Sequence, residues 1–290
     1  MGTDRMFHRS AAGSGPAPAL SAHAHTARWI GSAAIEACGS PELAPGGSAR
    51  VVGVFSAGFY VLAREHLFAV GRTRIFPGPL HLVLDEIDQF PAEGDAVCVV
   101  NGGLSAGAVA VDLRSATPWE PTLPPAGIRG GALRALVELQ AMVPVPADVA
   151  GRWQALRRAL QEDDFGTARA MLEGLGGGLT PTGDDVLAGL LLVDHWCHPE
   201  SSRPMAVAQA AATTDLSRAF LRWAALGQSI EPVHVMLDAA AAWAGAGQQH
   251  SLDAFQKAAG RVAGIGGSSG QALLVGIGLA AECATSGLHG

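Results

Sequence analysis

The residues with the most chemistry in this chain are Gly174-Leu-Gly176-Gly177-Gly178-Leu-Thr180-Pro181-Thr182-Gly183-Asp184-Asp185, running straight into an apolar stretch over 186–193. Consecutive glycines reach backbone conformations closed to other residues and admit a ligand or another chain at close range. Thr182 can cap a helix opening there, and the free N–H groups at such a start accept an anion. Asp184 and Asp185 fall in the first turn, where the helix dipole favours carboxylates. The plainer reading is a capped helix whose acids complement that dipole. Against it, a helix this apolar is buried, and two carboxylates at an interior end need a cation, a proton or a hydrogen-bonding substrate. The pair could hold Mg²⁺, because oxygen ligands suit a hard cation. Residue types alone leave the metal open.

Two further turns have the same character. Gly264-Ile-Gly266-Gly267-Ser268-Ser269-Gly270-Gln271 opens the apolar run 272–284, and its amides and hydroxyls could take a carboxylate or phosphate. Close helix packing, with Gly276 and Gly278 as small contacts, is its alternative reading. Thr213-Thr214-Asp215-Leu216-Ser217 is either a polar interruption of a long helix or a set of hydroxyls facing a ligand. Three such turns in one half of a chain point to a shared site. Elsewhere the signals thin out. His195 and His198 flank Cys197 without a fourth metal ligand, which reads as a polar helix end. Glu162-Asp163-Asp164 reads as a solvated turn. Arg72 and Arg74, beside Pro77-Gly78-Pro79, could reach over an anion or decorate an edge strand. No nucleophile elbow, zinc-protease motif or dinucleotide fingerprint is present.

The elements that must position these residues change texture along the chain. Residues 1–26 lack a basic and an apolar segment, so they do not read as a secretory signal; 1–49 read as tail and linker with a weak helix over 28–37. Short apolar runs at 51–55, 59–63, 67–70, 80–84, 96–100 and 108–112, separated by Gly, Pro and Asp, predict a mostly antiparallel sheet or small barrel within a β-rich unit at 50–125. Ser56-Ala57-Gly58-Phe59 and Asn101-Gly102-Gly103 read as hairpin turns. Pro118, Pro121, Pro124 and Pro125 mark a boundary. From 126 to 290 the period is helical, with segments at 132–142, 147–161, 165–172, 184–197, 205–226, 231–244, 252–262 and 269–284. The fold class is therefore α+β, with a β-rich N-terminal part and a helical C-terminal part carrying the site.

Composition excludes several function classes. Only 16% of residues are charged, the net charge is −7 and Lys257 is the sole lysine, so neither a nucleic-acid footprint nor a Walker lysine is available. A thinly charged surface favours an oligomer. Scattered Cys38, Cys98, Cys197 and Cys283 read as reduced thiols of a cytoplasmic protein. The apolar runs are too short for a bilayer and read as buried helices.

Taken together, Gly178-Leu179-Thr180-Pro181-Thr182-Gly183-Asp184-Asp185, the Thr213–Ser217 segment with Leu221-Arg222 and Gly227, and the Ser268-Ser269-Gly270 turn resemble the AllH-like subunit family of oxamate carbamoyltransferase. Thr182 stands where that pattern has Ser. Gly267 and Ala272 stand where its last turn usually has a histidine and an acid, which motivates a changed substrate or reaction. The resemblance implies carbamoyl transfer between phosphate and oxamate in allantoin breakdown, with companion transferase subunits. On that reading Gly178, Thr180, Thr182, Gly183, Thr213, Thr214, Ser217, Ser268, Ser269 and Gly270 cradle a small anionic substrate, while Asp184 and Asp185 orient its amine or hold Mg²⁺. Two alternatives accompany it. One is a diverged enzyme performing hydrolysis, cyclisation or elimination on a small amide or carboxylate; the other is a non-catalytic partner or small-molecule sensor.

Overall fold

The structure, a computed structural model, describes residues 24–123, 128–246 and 249–286. Its N-terminal half is one nine-stranded sheet in the order β2-β3-β4-β5-β1-β8-β7-β6, with β9 also on β1. The strands are β1 (His25–Gly31), β2 (Arg50–Phe55), β3 (Gly58–Ala63), β4 (His66–Arg72), β5 (His81–Leu84), β6 (Val97–Val100), β7 (Gly103–Ala106), β8 (Val109–Asp112) and β9 (Thr117–Trp119). Hairpins β2–β3, β3–β4, β6–β7 and β7–β8 are antiparallel, as is β1–β5, while β4–β5, β1–β8 and β1–β9 are parallel. The sheet curls until its ends almost meet. Val51 N–H donates to Asp95 O and Gly94 N–H to Val51 O, both at 2.9 Å, and Arg50 bridges Ala96 beside β6. Phe59, Phe68, Leu82, Leu104 and Val111 fill the interior.

Local sequence explains the turns. Asn101 and Gly102 sit at φ 51° and 74°, the paired left-handed conformations that a two-residue hairpin requires. The first 49 residues differ from the sequence-based expectation. Residues 25–31 form β1, the strand on which the two sheet halves meet, and the helix is α1 (Ser32–Cys38). Leu43, within the expected linker, is fully buried. Pro118 is likewise inside β9, where the strand lies at an edge and needs no donor from it. Residues 1–23, most of the expected tail, and Pro124 and Pro125 lie outside the described residues.

The C-terminal half is helical. It comprises α2 (Gly131–Val137), α3 (Leu139–Met142), α4 (Ala147–Ala150), α5 (Trp153–Gln161), α6 (Phe165–Leu172), α7 (Thr182–Cys197), α8 (Arg203–Ala210), α9 (Asp215–Ala225), α10 (Glu231–Ala246), α11 (Gln249–Ala263) and α12 (Ser269–Ser286). Helix α7 is the hub: Leu187, Leu190, Leu191 and Trp196 are buried on every side of it. It crosses α12 with the backbones in contact. A Cβ on Gly276 would lie 2.1 Å from Val186 O, and one on Gly189 would lie 2.4 Å from Leu273 O. Gly276 thus serves close packing. Ala33, Leu80 and Trp223 form a small core joining the sheet half to α9. Among the described residues no helix is long and apolar enough to cross a membrane. All four cysteines are free thiols.

Candidate functional site

A cavity of about 700 Å³ lies between the two halves. On its helical side it is bounded by the glycine loop ahead of α7, the first turn of α7, and the turn between α11 and α12. Gly178, Thr180, Asp185, Ser268, Ser269 and Gly270 all line it. The Thr180 and Ser269 hydroxyls meet at 3.0 Å and tie the two turns together. Between them sits Asp185. One of its oxygens, Oδ2, is buried without any hydrogen-bond partner. Burial pushes this carboxyl up to about 7; the Ser269 hydroxyl opposes the rise, the charge of Asp184 adds to it, and Thr180 also opposes it. The group is therefore half-protonated near neutral pH.

Asp184 faces the other way. It is 2% exposed, accepts from Gly174 N–H at 2.9 Å and from the Thr213 hydroxyl, and so pins the glycine loop and the α8–α9 break to α7. With both its oxygens engaged, the adjacent acids do not form a chelating pair, and a Mg²⁺ shared between them finds no support. Among the described residues no group of three or more His, Cys, Asp or Glu is placed to hold a metal.

The remaining candidates divide in the same way. Thr182 is the first residue of α7 and not its cap: Pro181 holds that position, and the Thr182 hydroxyl donates to Asp148 Oδ2 at 3.0 Å. Gly183 is needed for packing, since a Cβ there would lie 2.1 Å from Leu172 O. Thr214 caps α9 by accepting from Ser217 N–H and donates to Leu179 O at 3.0 Å. Ser217 is 1% exposed, its hydroxyl without a partner, and does not line the cavity. The third hydroxyl turn thus supports the glycine loop from behind.

The amides that could meet an anion are also displaced from the expected place. The α7 start is occupied: Gly183 N–H donates to Leu175 O, and the Asp184 and Asp185 N–H groups to Pro181 O. The loop before it is different. Among the described residues the N–H groups of 176–180 and of 266–269 find no backbone acceptor. Positive φ at Gly176, Gly178 and Gly266 holds both segments in this open form. Unpaired amides of 177–180 and 266–269 thus flank one cavity.

The sheet half supplies the other wall, of which the sequence offers only Arg74. His81, at the start of β5, is partly buried; its Nδ1–H donates to Phe76 O at 2.7 Å, and desolvation lowers its pKa. With Nδ1–H committed to that carbonyl, Nε2 is the ring's remaining polar atom. Arg74, from the pair noted in the sequence, and Arg261, which was not, stand exposed at the lip. Arg72 instead donates to Ser56 O at 3.0 Å. His195 and His198 are away from this site: His198 pairs with Asp194 at 3.2 Å and His195 packs on Gly227.

Residues 172–281 match the family model described as oxamate carbamoyltransferase subunit AllH. This supports the resemblance read from the Gly178–Asp185 motif. The match covers under half the chain, beginning at the end of α6 and taking in both amide turns and Asp185. Comparison with curated proteins and with solved structures found no match.

Proposed function

We propose that this AllH-like chain is a carbamoyltransferase subunit whose cavity binds a small anionic amide or carboxylate, such as oxamate, together with phosphate or carbamoyl phosphate. The observation that carries this reading is the lone carboxyl of Asp185, set between two unpaired amide turns. Carbamoyl transfer needs donors for a phosphate leaving group and for the carbonyl oxygen that gains charge in the transition state. The amides of 176–180 and 266–269 can supply them without reorganisation, and Arg74 and Arg261 add attraction at the entrance. No covalent nucleophile is required.

The reaction also moves one proton. As the substrate amide nitrogen attacks the carbamoyl carbon, the C–N bond forms and the C–O bond to phosphate breaks. The nitrogen must lose a proton, and phosphate departs with the bonding pair. A carboxyl titrating near 7 is matched to this task, as base in one direction and as acid in the other. Asp184, Thr213 and Thr214 act as positioning residues that hold the loop in place.

The test is turnover of carbamoyl phosphate with oxamate by the chain, alone and with companion transferase subunits. Asp185→Asn keeps the shape and removes the titrating proton; kcat should fall by roughly 10²–10⁴ while phosphate still binds. Full turnover in that variant removes Asp185 from the chemistry. A second reading is favoured by two positions. Gly267 leaves open space at the cavity lip, and Ala272 is fully buried, where the resemblance calls for a histidine and an acid. A diverged reaction on a related amide or carboxylate, using the same cradle and Asp185, fits them. Activity on other carbamoyl or acyl amides without phosphate dependence would favour it.

A further inference from the structure

The polar end of the cavity is small, and the cavity is not. At about 700 Å³ it falls in the range that encloses drug-sized ligands, far beyond the few atoms of oxamate. We propose that the site takes an amphipathic acid, with its anionic head on the amide turns and an apolar, ring-sized body against the sheet half. This deepens the reading above and rests on it for the head group.

Three observations carry the body. The wall opposite the amides is built from Phe55, Tyr60, Ile75 and Phe76 of the sheet half, with Leu216 and Phe220 from α9. Phe55 and Tyr60 already stand 4.9 Å apart, centroid to centroid, as a preformed aromatic step. Apolar surface lining a water-filled cavity is an unfavourable contact that a matching ligand relieves. A fully polar substrate of two carbons leaves that wall untouched.

The polar groups are also segregated in a way that a uniformly polar ligand would not use. Hydroxyls, free amides and Asp185 gather at the helical side, and the guanidinium of Arg261 lies 5.8 Å over the Phe76 ring at the lip. On the sheet wall Tyr60 carries a hydroxyl, and the Nδ1–H bond of His81 to Phe76 O leaves its Nε2 as an acceptor. That atom selects for an N–H or O–H on the body of the ligand. The residues forming this wall up to His81 lie outside the family match, so the sheet half sets which body is accepted.

Calorimetric titration of the full chain with oxamate and with N-phenyloxamate, which share a head, separates the two halves of the ligand; inorganic phosphate serves as the head-only control. N-phenyloxamate should bind at least tenfold more tightly than oxamate, as burial of one ring requires. Phe55→Ala and Phe220→Ala should each cut that advantage to threefold or less and leave oxamate binding unchanged. Equal affinity of the two acids, with phosphate still bound, overturns the amphipathic ligand and leaves the small-anion reading standing. An advantage undiminished in both variants also overturns it. Failure of phosphate and of both acids to bind overturns the small-anion reading and the inference with it.

Discussion

Replacing Asp185 by Asn should stabilise the protein at pH 8 while removing its chemistry. The carboxyl has an ordinary value near 3.8 in the unfolded chain and about 7 in the fold. Folded protein therefore holds this proton more tightly than unfolded protein does. The contribution is fully present below about pH 4, is lost as pH rises toward 7, and is absent above it. Three pH units correspond to about 4 kcal/mol as a ceiling, and partial solvent access brings the expected gain in the Asn variant to about 1–3 kcal/mol at pH 8. For a chain of this size that is a rise of roughly 3–10 °C in Tm. Urea unfolding of both proteins at pH 5, 6, 7 and 8 measures it. His81, His195 and His234, all with lowered pKa, contribute equally to both proteins and cancel in the difference. The difference should widen from pH 5 to pH 7 and then level off. A variant that is less stable than the parent at pH 8, or a difference independent of pH, would refute the buried, destabilising acid.

Three other perturbations test the scaffold. Gly276→Ala places a Cβ 2.1 Å from Val186 O and should cost about 3 kcal/mol through forced separation of α7 and α12, whereas Gly260→Ala, with open space around it in α11, should gain about 0.5–1 kcal/mol; equal effects in denaturant melts would contradict the backbone contact. Arg203 binds Asp194 through two nitrogens, at 2.9 and 2.5 Å, and Asp194 is 2% exposed in its side chain, so Arg203→Ala should cost about 3–5 kcal/mol, with Asp194→Asn in the same chain recovering part of it. Additive effects in that double-mutant cycle would show that the pair does not interact. His234 lies edge-on to Trp119 and Trp196, accepts from Ser229 N–H at 3.0 Å and is lowered to about 4 by burial. Its imidazole signals in NMR should stay those of the neutral ring at pH 5.5, and a midpoint above 6 would contradict the burial.

What was legible in the sequence was local. Phe165–Leu172 forms a helix with the expected bounds because Asp164 caps it, accepting from Thr167 N–H at 2.9 Å, and the apolar surface repeats at helical spacing. The Asn101-Gly102 turn is specified by its two residues. Strand β1 was hidden for a physical reason: its register shifts between Ala27 and Trp29, so the alternation that marks a strand is broken where it matters, and its partners β5, β8 and β9 are remote. The segment 205–226 carries no strong breaker, yet it parts into α8 and α9. There the Thr213 hydroxyl is drawn to Asp184 and Thr214 caps the second helix. The site was half visible. Thr180, Asp185, Ser268 and Ser269 stand in glycine-rich turns that announce themselves, but which turn keeps its amides free is decided by Leu175 O and Pro181 O, which occupy those of α7. Of the other wall, Arg74 was noted in the sequence; His81, Tyr60 and Phe76 come from distant strands and loops, and no local pattern links them to Asp185.

Backbone ¹⁵N–¹H spectra of the full chain titrated with inorganic phosphate probe the cradle of unpaired amides around Asp185 directly. The amides of 176–180 and 266–269 should shift together along one saturable curve, with those of Gly183 and Asp184 moving least among their neighbours. Shifts confined to other parts of the chain, or no saturable change in either turn, would contradict it.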